Sequence, residues 1–552
     1  MPERTLTGVG VSPGRGAGPV VVAPPHVPPP SSTQPGAPDA EQIPAAAARV
    51  RAELEEAGKA TTGEARAVLE ATAMMATDPS LVATAQALVG EDVGPARAVW
   101  EAATRIIDDL HALGGPMAER AWDVIDVRDR VVAALTGRSR PGVPDPGHPY
   151  VLVATDLSPV EVAMLDPART RGIITTRGGP VSHTAILARA LGIPAVFGVH
   201  GAARLTEGTL VVVDGGAGTV TIDASDDEVS QAAAGARPHR SFTGEGRTLD
   251  GHHIPLLANI GRPEDARTAA DAGAEGIGLL RTEFCFLGRR QAPGHAEQVD
   301  AYRRVFASFP GRIVVVRTLD AGSDTPLPFV TSAEEPNPAL GVRGFRAFVA
   351  HPQLLDDQLA AIAEAAADSA ADVWVMAPMV TTTADVEEFV SRCTAQGLST
   401  AGVTIEVPAA ALRAGQLLSR AAFGSIGTND LTQYAMAADR QNSELAHLCT
   451  PWQPAVLELV AAACRGGAQQ GRPVGVCGEA AADPALALVL VGLGASSLSM
   501  APSALADVAA VLGRTSRERC EHLAAVALAA ESAADARASV RALLPVLQEL
   551  GL

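Results

Sequence analysis

The sequence predicts a multidomain α/β protein: an N-terminal α/β domain carrying a helical insertion, then a C-terminal (β/α)8 barrel. Three observations carry this. The 552 residues exceed what one core holds, since single cores stop growing near roughly 250–300 residues. Residues 150–222 contain short β-branched runs around one helical stretch. From residue 250 onward, eight apolar runs alternate with helix-compatible sequence.

Taken in order, GPVVVA (18–23) reads as a short strand, and the Pro-rich PPHVPPPSSTQPGAPD that follows reads as an extended loop without a core of its own. From Pro44 to Leu135 the chain is rich in Ala, Glu, Arg and Leu and poor in Gly and Pro, which predicts packed amphipathic helices. The runs YVLVAT, RGIITT, IPAVFG, TLVVVD and TVTID are strands of a compact α/β unit, with SHTAILARAL a helix among them. Apolar runs lapse over 225–246, the mark of a linker. The boundaries are therefore 1–230 for the N-terminal domain with its insertion at about 40–137, 231–247 for a hinge, and 248–552 for a TIM-type barrel. Its eight strands are IPLLANI, EGIGLLRT, RIVVVRT, VWVMAPM, VTIEV, FGSIGTN, PVGVCGE and SSLSMA.

Composition excludes whole classes of chemistry. A net charge of −19 repels nucleic acid and anionic membrane as general partners, so any acidic substrate needs a local basic site. The six cysteines form no C-x-x-C pair and read as free thiols in a reducing cytosol. The start has no apolar core of a signal peptide, and no stretch offers the ~20 apolar residues of a membrane span, so a cytoplasmic protein is expected. Lys59 is the only lysine and lies on a helical stretch, which removes Walker loops, Schiff-base chemistry and kinase-type ATP sites. Phosphate, if bound, must be held by arginine, backbone amides or metal.

Two constellations carry chemistry. In RGGPVSHTAILAR (177–189), a Gly178-Gly179 turn leads to Ser182 at an N-cap position and His183 in the first helical turn. Amide donors and the helix dipole there would stabilise a phosphohistidine, and a neutral imidazole is a good nucleophile. In the barrel, Arg281, Arg317, Glu406, Asn429, Asp430, Cys477 and Glu479 fall at the ends of strand runs, with Arg440 close behind. Arg281, Arg317 and Arg440 can clamp phosphoryl and carboxylate groups, while Glu406 and Asp430 are hard oxygen ligands suited to Mg2+. Each has a bland alternative: barrel salt bridges for the arginines, caps or turns for Asn429 and Asp430, a small buried residue for Cys477. Joint placement on successive strand ends is what points to one pocket.

SHTAILAR, LLRTEF, VVVRTLD, TIEVPAA, SIGTNDLTQY and VCGE resemble the motifs of Enzyme I, the phosphoenolpyruvate–protein phosphotransferase of the bacterial sugar phosphotransferase system. The resemblance runs from GVGVSPG (8–14) through AERAWDVIDVRDR (118–130) to the last barrel strands. It implies phosphorylation of His183, a helical insertion that docks the histidine phosphocarrier protein HPr, and a dimerising barrel that binds phosphoenolpyruvate and Mg2+. By position it implies that Arg281, Arg317 and Arg440 bind substrate with Asn429, that Glu406 and Asp430 ligate the metal, and that Cys477 protonates the enolate.

The chain departs from that pattern in places. Thr325 stands where a lysine is usual, Asp356 and Asp357 lie near a usually basic position, and Ala377 replaces a common Phe, departures that bear on rate or affinity. Thr72 replaces a common histidine and the Pro-rich segment is long, which bears on partner recognition. Pyruvate phosphate dikinase and phosphoenolpyruvate synthase share these motifs, but there is no room before residue 150 for their ATP-binding domain. An Enzyme I-like protein that senses phosphoenolpyruvate without efficient turnover is the other reading; the intact set of site residues argues against it.

Overall fold

A computed structural model describes the chain except residues 1–3, 25–26, 32–38, 60, 62, 91–92, 114–119, 138–142, 179–182, 200, 217, 235–239, 243, 288, 323–326, 332–334, 336, 441, 443–444 and 446. Two compact units are present, one built mainly on residues 1–236 and the other on 237–440 and 447–550. Gly179, Ser182 and Thr325 lie outside the described residues.

In the first unit an eight-stranded sheet has the order β1-β8-β7-β3-β4-β5-β6-β2. Its strands are β1 (Thr5–Thr7), β2 (Val9–Ser12), β3 (Arg15–Val22), β4 (Tyr150–Ala154), β5 (Thr170–Thr175), β6 (Ala195–Phe197), β7 (Leu210–Asp214) and β8 (Thr219–Ile222). β4 is buried throughout, and alternation sends Leu152 and Ala154 into a core shared with the helices while Val151 and Val153 join a second core on the opposite face. A strand covered on both sides reads as a continuous apolar run, which is why it is visible in the sequence. β1 and β2 are not: TLT and VGVS are too short to show a pattern, and they exist because β8 and β6 supply antiparallel partners.

The helical region holds Gln42–Lys59, Gly63–Ala76, Pro79–Leu88, Pro95–Leu113 and Ala121–Thr136. Asp78 caps the third helix by accepting from the Ser80 and Leu81 N–H groups, with Pro79 at the first helical position. The last of these helices buries charge: Asp126 accepts two hydrogen bonds from Arg130 (2.6 and 3.1 Å) and a third from the Ser158 hydroxyl (3.1 Å), and the Arg128 guanidinium lies 3.6 Å from the Trp100 ring centroid. Thr72 is buried, its hydroxyl donating to the Val68 carbonyl. The stretch read as a linker begins as the helix Asp226–Ala234. Ser225 and Glu228 cap its start reciprocally, a Ser-x-x-Glu signal that the lapse of apolar residues obscured.

The second unit is a closed barrel of eight parallel strands: β9 (Leu256–Ile260), β10 (Ile277–Arg281), β11 (Ile313–Arg317), β12 (Asp372–Ala377), β13 (Ala401–Ile405), β14 (Gly424–Gly427), β15 (Val474–Cys477) and β16 (Leu498–Met500). β16 returns to pair with β9, Leu498 opposite Leu256. All eight coincide with the apolar runs, in agreement with the fold class expected. Along each strand, alternate residues pack under the outer helices (Val314, Val316, Val375, Ala377, Val403, Val476) or fill the lumen (Val315, Met376, Phe423, Cys477). Ala377 therefore lies in the outer core. Asp356 and Asp357 sit on the outer helix Pro352–Ala367, pairing with Arg392 (2.8 Å) and Gln353 (2.8 Å). In the lumen the Trp374 and Phe423 rings meet at 4.8 Å between centroids, and Gly402 makes room for them: a Cβ there would come within 2.4 Å of the Phe423 ring.

Candidate active site

Strand parity decides which side chains reach the barrel mouth. Ile313 and Val315 of β11 face the lumen, so Arg317 emerges at the rim, in register with the exposed Arg281 that ends β10. Glu406 follows β13 and is buried; Cys477 ends β15 inside the lumenal cluster. Asn429 and Asp430 occupy the first turn of the helix Thr428–Met436 after β14, and Arg440 lies just beyond that helix. Asn429 is half-buried, its amide oxygen beside Gly478. Seven of the eight predicted site residues thus gather at one rim. The eighth, His183, belongs to the other unit, where it opens the helix His183–Ala190 after Gly178 turns the chain at φ +97°.

Three residues that the sequence reading passed over complete the rim. Glu283 Oε1 accepts from Arg317 Nη2 (3.0 Å) and from the Asp320 N–H (2.9 Å). Asp320 lies between two guanidinium groups, 3.4 Å from Arg317 Nη1 and 2.8 Å from Arg343 Nη2. Arg343 donates onward to Asp430 Oδ1 (2.9 Å) and to the Tyr434 hydroxyl (3.3 Å), and the other Asp430 oxygen is 3.8 Å from Arg440 Nη1. The result is an alternating chain, Glu283–Arg317–Asp320–Arg343–Asp430–Arg440. The motifs RTEF and RTLD contained part of the signal, each placing an acid just past a strand end, whereas Arg343 in LGVR lies far from any strand end.

Electrostatics follow from burial inside this chain. Burial first, then the Asp430 and Asp320 carboxylates, push the Glu406 carboxyl up to about 7. Burial also works against ionised Asp430, but Arg440 and Arg343 outweigh it and hold that carboxyl below its ordinary value. For Arg317 and Arg343, burial opposes the charge, and Glu283, Asp320 and Asp430 overcome it, so both stay firmly protonated. Burial raises the Cys477 thiol above its usual range, against the Ser425 hydroxyl, Arg317 and Arg281; its Sγ donates to the Ile426 carbonyl at 3.4 Å.

The carboxylate pair fits a small divalent cation. Glu406 and Asp430 are hard, buried oxygen donors whose mutual repulsion a cation would relieve, and Mg2+ commonly uses one or two carboxylates plus substrate oxygens. Glu406 Oε1 is oriented by the Met379 N–H (2.6 Å), and a Cβ at Gly427 would come within 2.7 Å of Glu406 Oε2, so glycine leaves the space there open. Among the described residues, no three His, Cys, Asp or Glu side chains converge as a metal site, so a cation here would need ligands from substrate or water.

Residues 237–517 match the PEP-binding domain of PEP-utilising enzymes, residues 146–218 their mobile domain and residues 7–120 their N-terminal region. A phosphoenolpyruvate-protein phosphotransferase of Streptomyces coelicolor is 47% identical over 98% of this chain and 99% of its own length. One from Haloferax volcanii is 38% identical over 97% of this chain and 98% of its own. A multiphosphoryl transfer protein of Xanthomonas campestris pv. campestris is 39% identical over 86% of this chain and 58% of its own length. Related at this level over nearly its whole length, the chain belongs to the phosphoenolpyruvate–protein phosphotransferase, or Enzyme I, family.

Proposed function

We propose that this protein, in the cytoplasm, transfers the phosphoryl group of phosphoenolpyruvate to its own His183 and then to the histidine phosphocarrier protein HPr, releasing pyruvate as the first step of phosphotransferase-system sugar uptake. The observation that most supports this is the pairing in register of Arg281 and Arg317 at a rim that also holds buried Cys477, Glu406 and Asp430. Such a site combines anion grip, metal ligands and a proton donor.

Arg281, Arg317 and Arg440 hold the phosphoryl and carboxylate oxygens of the substrate, with Asn429 as a further hydrogen-bond partner. Mg2+ held by Glu406 and Asp430 would supply neutralisation of phosphoryl charge when bound. The P–O bond to the enol oxygen breaks as a P–N bond to the His183 imidazole forms. The enolate takes the Cys477 thiol proton on its methylene carbon, giving pyruvate, and the thiolate is reprotonated from water. Burial suits Cys477 to this task, because it keeps the sulfur protonated at neutral pH. Domains at 1–230 and 248–552 with a hinge at 231–247 would let His183 serve donor and acceptor in turn, the insertion at about 40–137 docking HPr and the barrel dimerising.

Incubation with radioactive phosphoenolpyruvate and Mg2+ should label the protein, and His183→Ala should abolish the label. Acid-labile label persisting in that variant would sink the assignment.

A further inference from the structure

The alternating chain at the barrel mouth contains two acids, Glu283 and Asp320, that the reaction proposed above leaves without a task. Both are buried, both follow strand ends, and burying a carboxylate is costly unless it is paired. Their partners are guanidinium groups. Asp320 receives Arg343 through two nitrogens, Nε (3.3 Å) and Nη2 (2.8 Å), and Arg317 through a third (3.4 Å). Glu283 spends one oxygen on both Arg317 and the Asp320 backbone, which ties the loops after β10 and β11 together.

The backbone is shaped around this contact. Gly344 (φ +56°) adjoins Arg343, and a Cβ there would come within 2.8 Å of Met379 and 3.2 Å of Asp320 Oδ1. Gly322 (φ +125°) lies two residues beyond Asp320, and a Cβ there would come within 2.5 Å of the Arg343 Cβ. With Asp320 occupying Nε and Nη2, Arg343 has Nη1 to offer Asp430.

We infer that Asp320, steadied by Glu283, is a positioning residue: it holds the Arg317 and Arg343 guanidinium groups at a fixed spacing despite their repulsion, and thereby sets both the grip on the phosphoryl group and the orientation of the Asp430 carboxylate. This rests on the proposed reaction for its purpose, but its electrostatic consequence does not. Neutralising Asp320 removes one negative charge and leaves Arg317 with Glu283 and Arg343 with Asp430 as their remaining acidic partners, so the pocket attracts anions more strongly and cations less, while the arginines lose the geometry needed in the transition state.

The test is Asp320→Asn in the full-length protein, with Glu283→Gln as the milder companion. Inorganic phosphate and Mn2+ binding are titrated separately, without substrate, alongside the kcat and KM of pyruvate release. For Asp320→Asn we expect phosphate to bind at least about threefold tighter, Mn2+ about tenfold weaker, and kcat to fall about a hundredfold with KM unchanged or lower. Glu283→Gln should move kcat the same way, by about tenfold. A purely structural role would lower the melting temperature and leave both binding constants of the folded fraction alone. If both binding constants and kcat in Asp320→Asn stay within twofold of wild type, the inference is overturned; opposed shifts in the two binding constants sustain it even where wild type itself releases no pyruvate, a result that would count against the proposed reaction instead. Should Asp320→Asn not fold, the same readouts on Glu283→Gln decide, unchanged kcat and binding overturning the inference.

Discussion

Replacing Glu406 with Gln should stabilise the metal-free protein at pH 8, although it removes a proposed metal ligand. The Glu406 carboxyl is raised from its ordinary value near 4.5 to about 7 by burial and by Asp430 and Asp320. Each tenfold change in proton affinity corresponds to about 1.4 kcal/mol, so the displacement is worth about 3 kcal/mol. Because the folded state holds this proton more tightly than the unfolded chain, stability is greatest below pH 4.5 as far as this group is concerned. It falls as pH rises from 4.5 to 7 and stays reduced above. Gln mimics the protonated acid and keeps an oxygen for the Met379 N–H, so it escapes the penalty. Melting curves in EDTA at pH 5.5 and pH 8 provide the assay. At about 2–4 °C per kcal/mol, the barrel transition of the variant should lie about 6–12 °C above wild type at pH 8 and much closer to it at pH 5.5. Saturating Mg2+ should raise wild type more than the variant at pH 8, since a cation replaces the missing proton. A variant that melts below wild type at pH 8 in EDTA, or that keeps the wild-type pH dependence, would refute the reasoning.

Two further outcomes are expected. Cys477→Ser should slow pyruvate release by about a hundredfold while leaving phosphoenolpyruvate binding within about twofold, because a hydroxyl is a far weaker acid in the same lumen; steady-state kinetics and equilibrium binding read the two quantities separately. Gly402→Ala should destabilise the barrel by about 1–3 kcal/mol, visible in urea unfolding, because its methyl would overlap the Phe423 ring; combining it with Phe423→Leu should recover part of the loss.

The barrel was legible because each strand is covered on its outer face by helices and on its inner face by other strands, which leaves runs such as IVVVR and IGLLR with no polar interruption until the rim. The rim residues were legible for the same reason, as the first polar groups after an apolar run. Arg343 was not. It follows a loop, nothing in LGVR marks it as buried, and its partners Asp320 and Asp430 lie 23 and 87 residues away in sequence. Glu283 and Asp320 stood in view inside RTEF and RTLD, but an acid beside an arginine reads equally as a surface pair until burial is known. The edge strands β1 and β2 depend wholly on distant partners, and the helix after Ser225 was masked by its polarity.

The alternation of inward and outward residues along the barrel strands makes each strand behave like a counted thread. Arg317 reaches the rim because it stands an even number of steps from Ile313; one residue inserted within β11 would carry the guanidinium under the helices and bring Val316 to the mouth. Length changes in the outer helices or their loops leave that count intact. The placement of Arg317 is therefore indifferent to how long the chain is between strands, and intolerant of a single added or lost residue within β11.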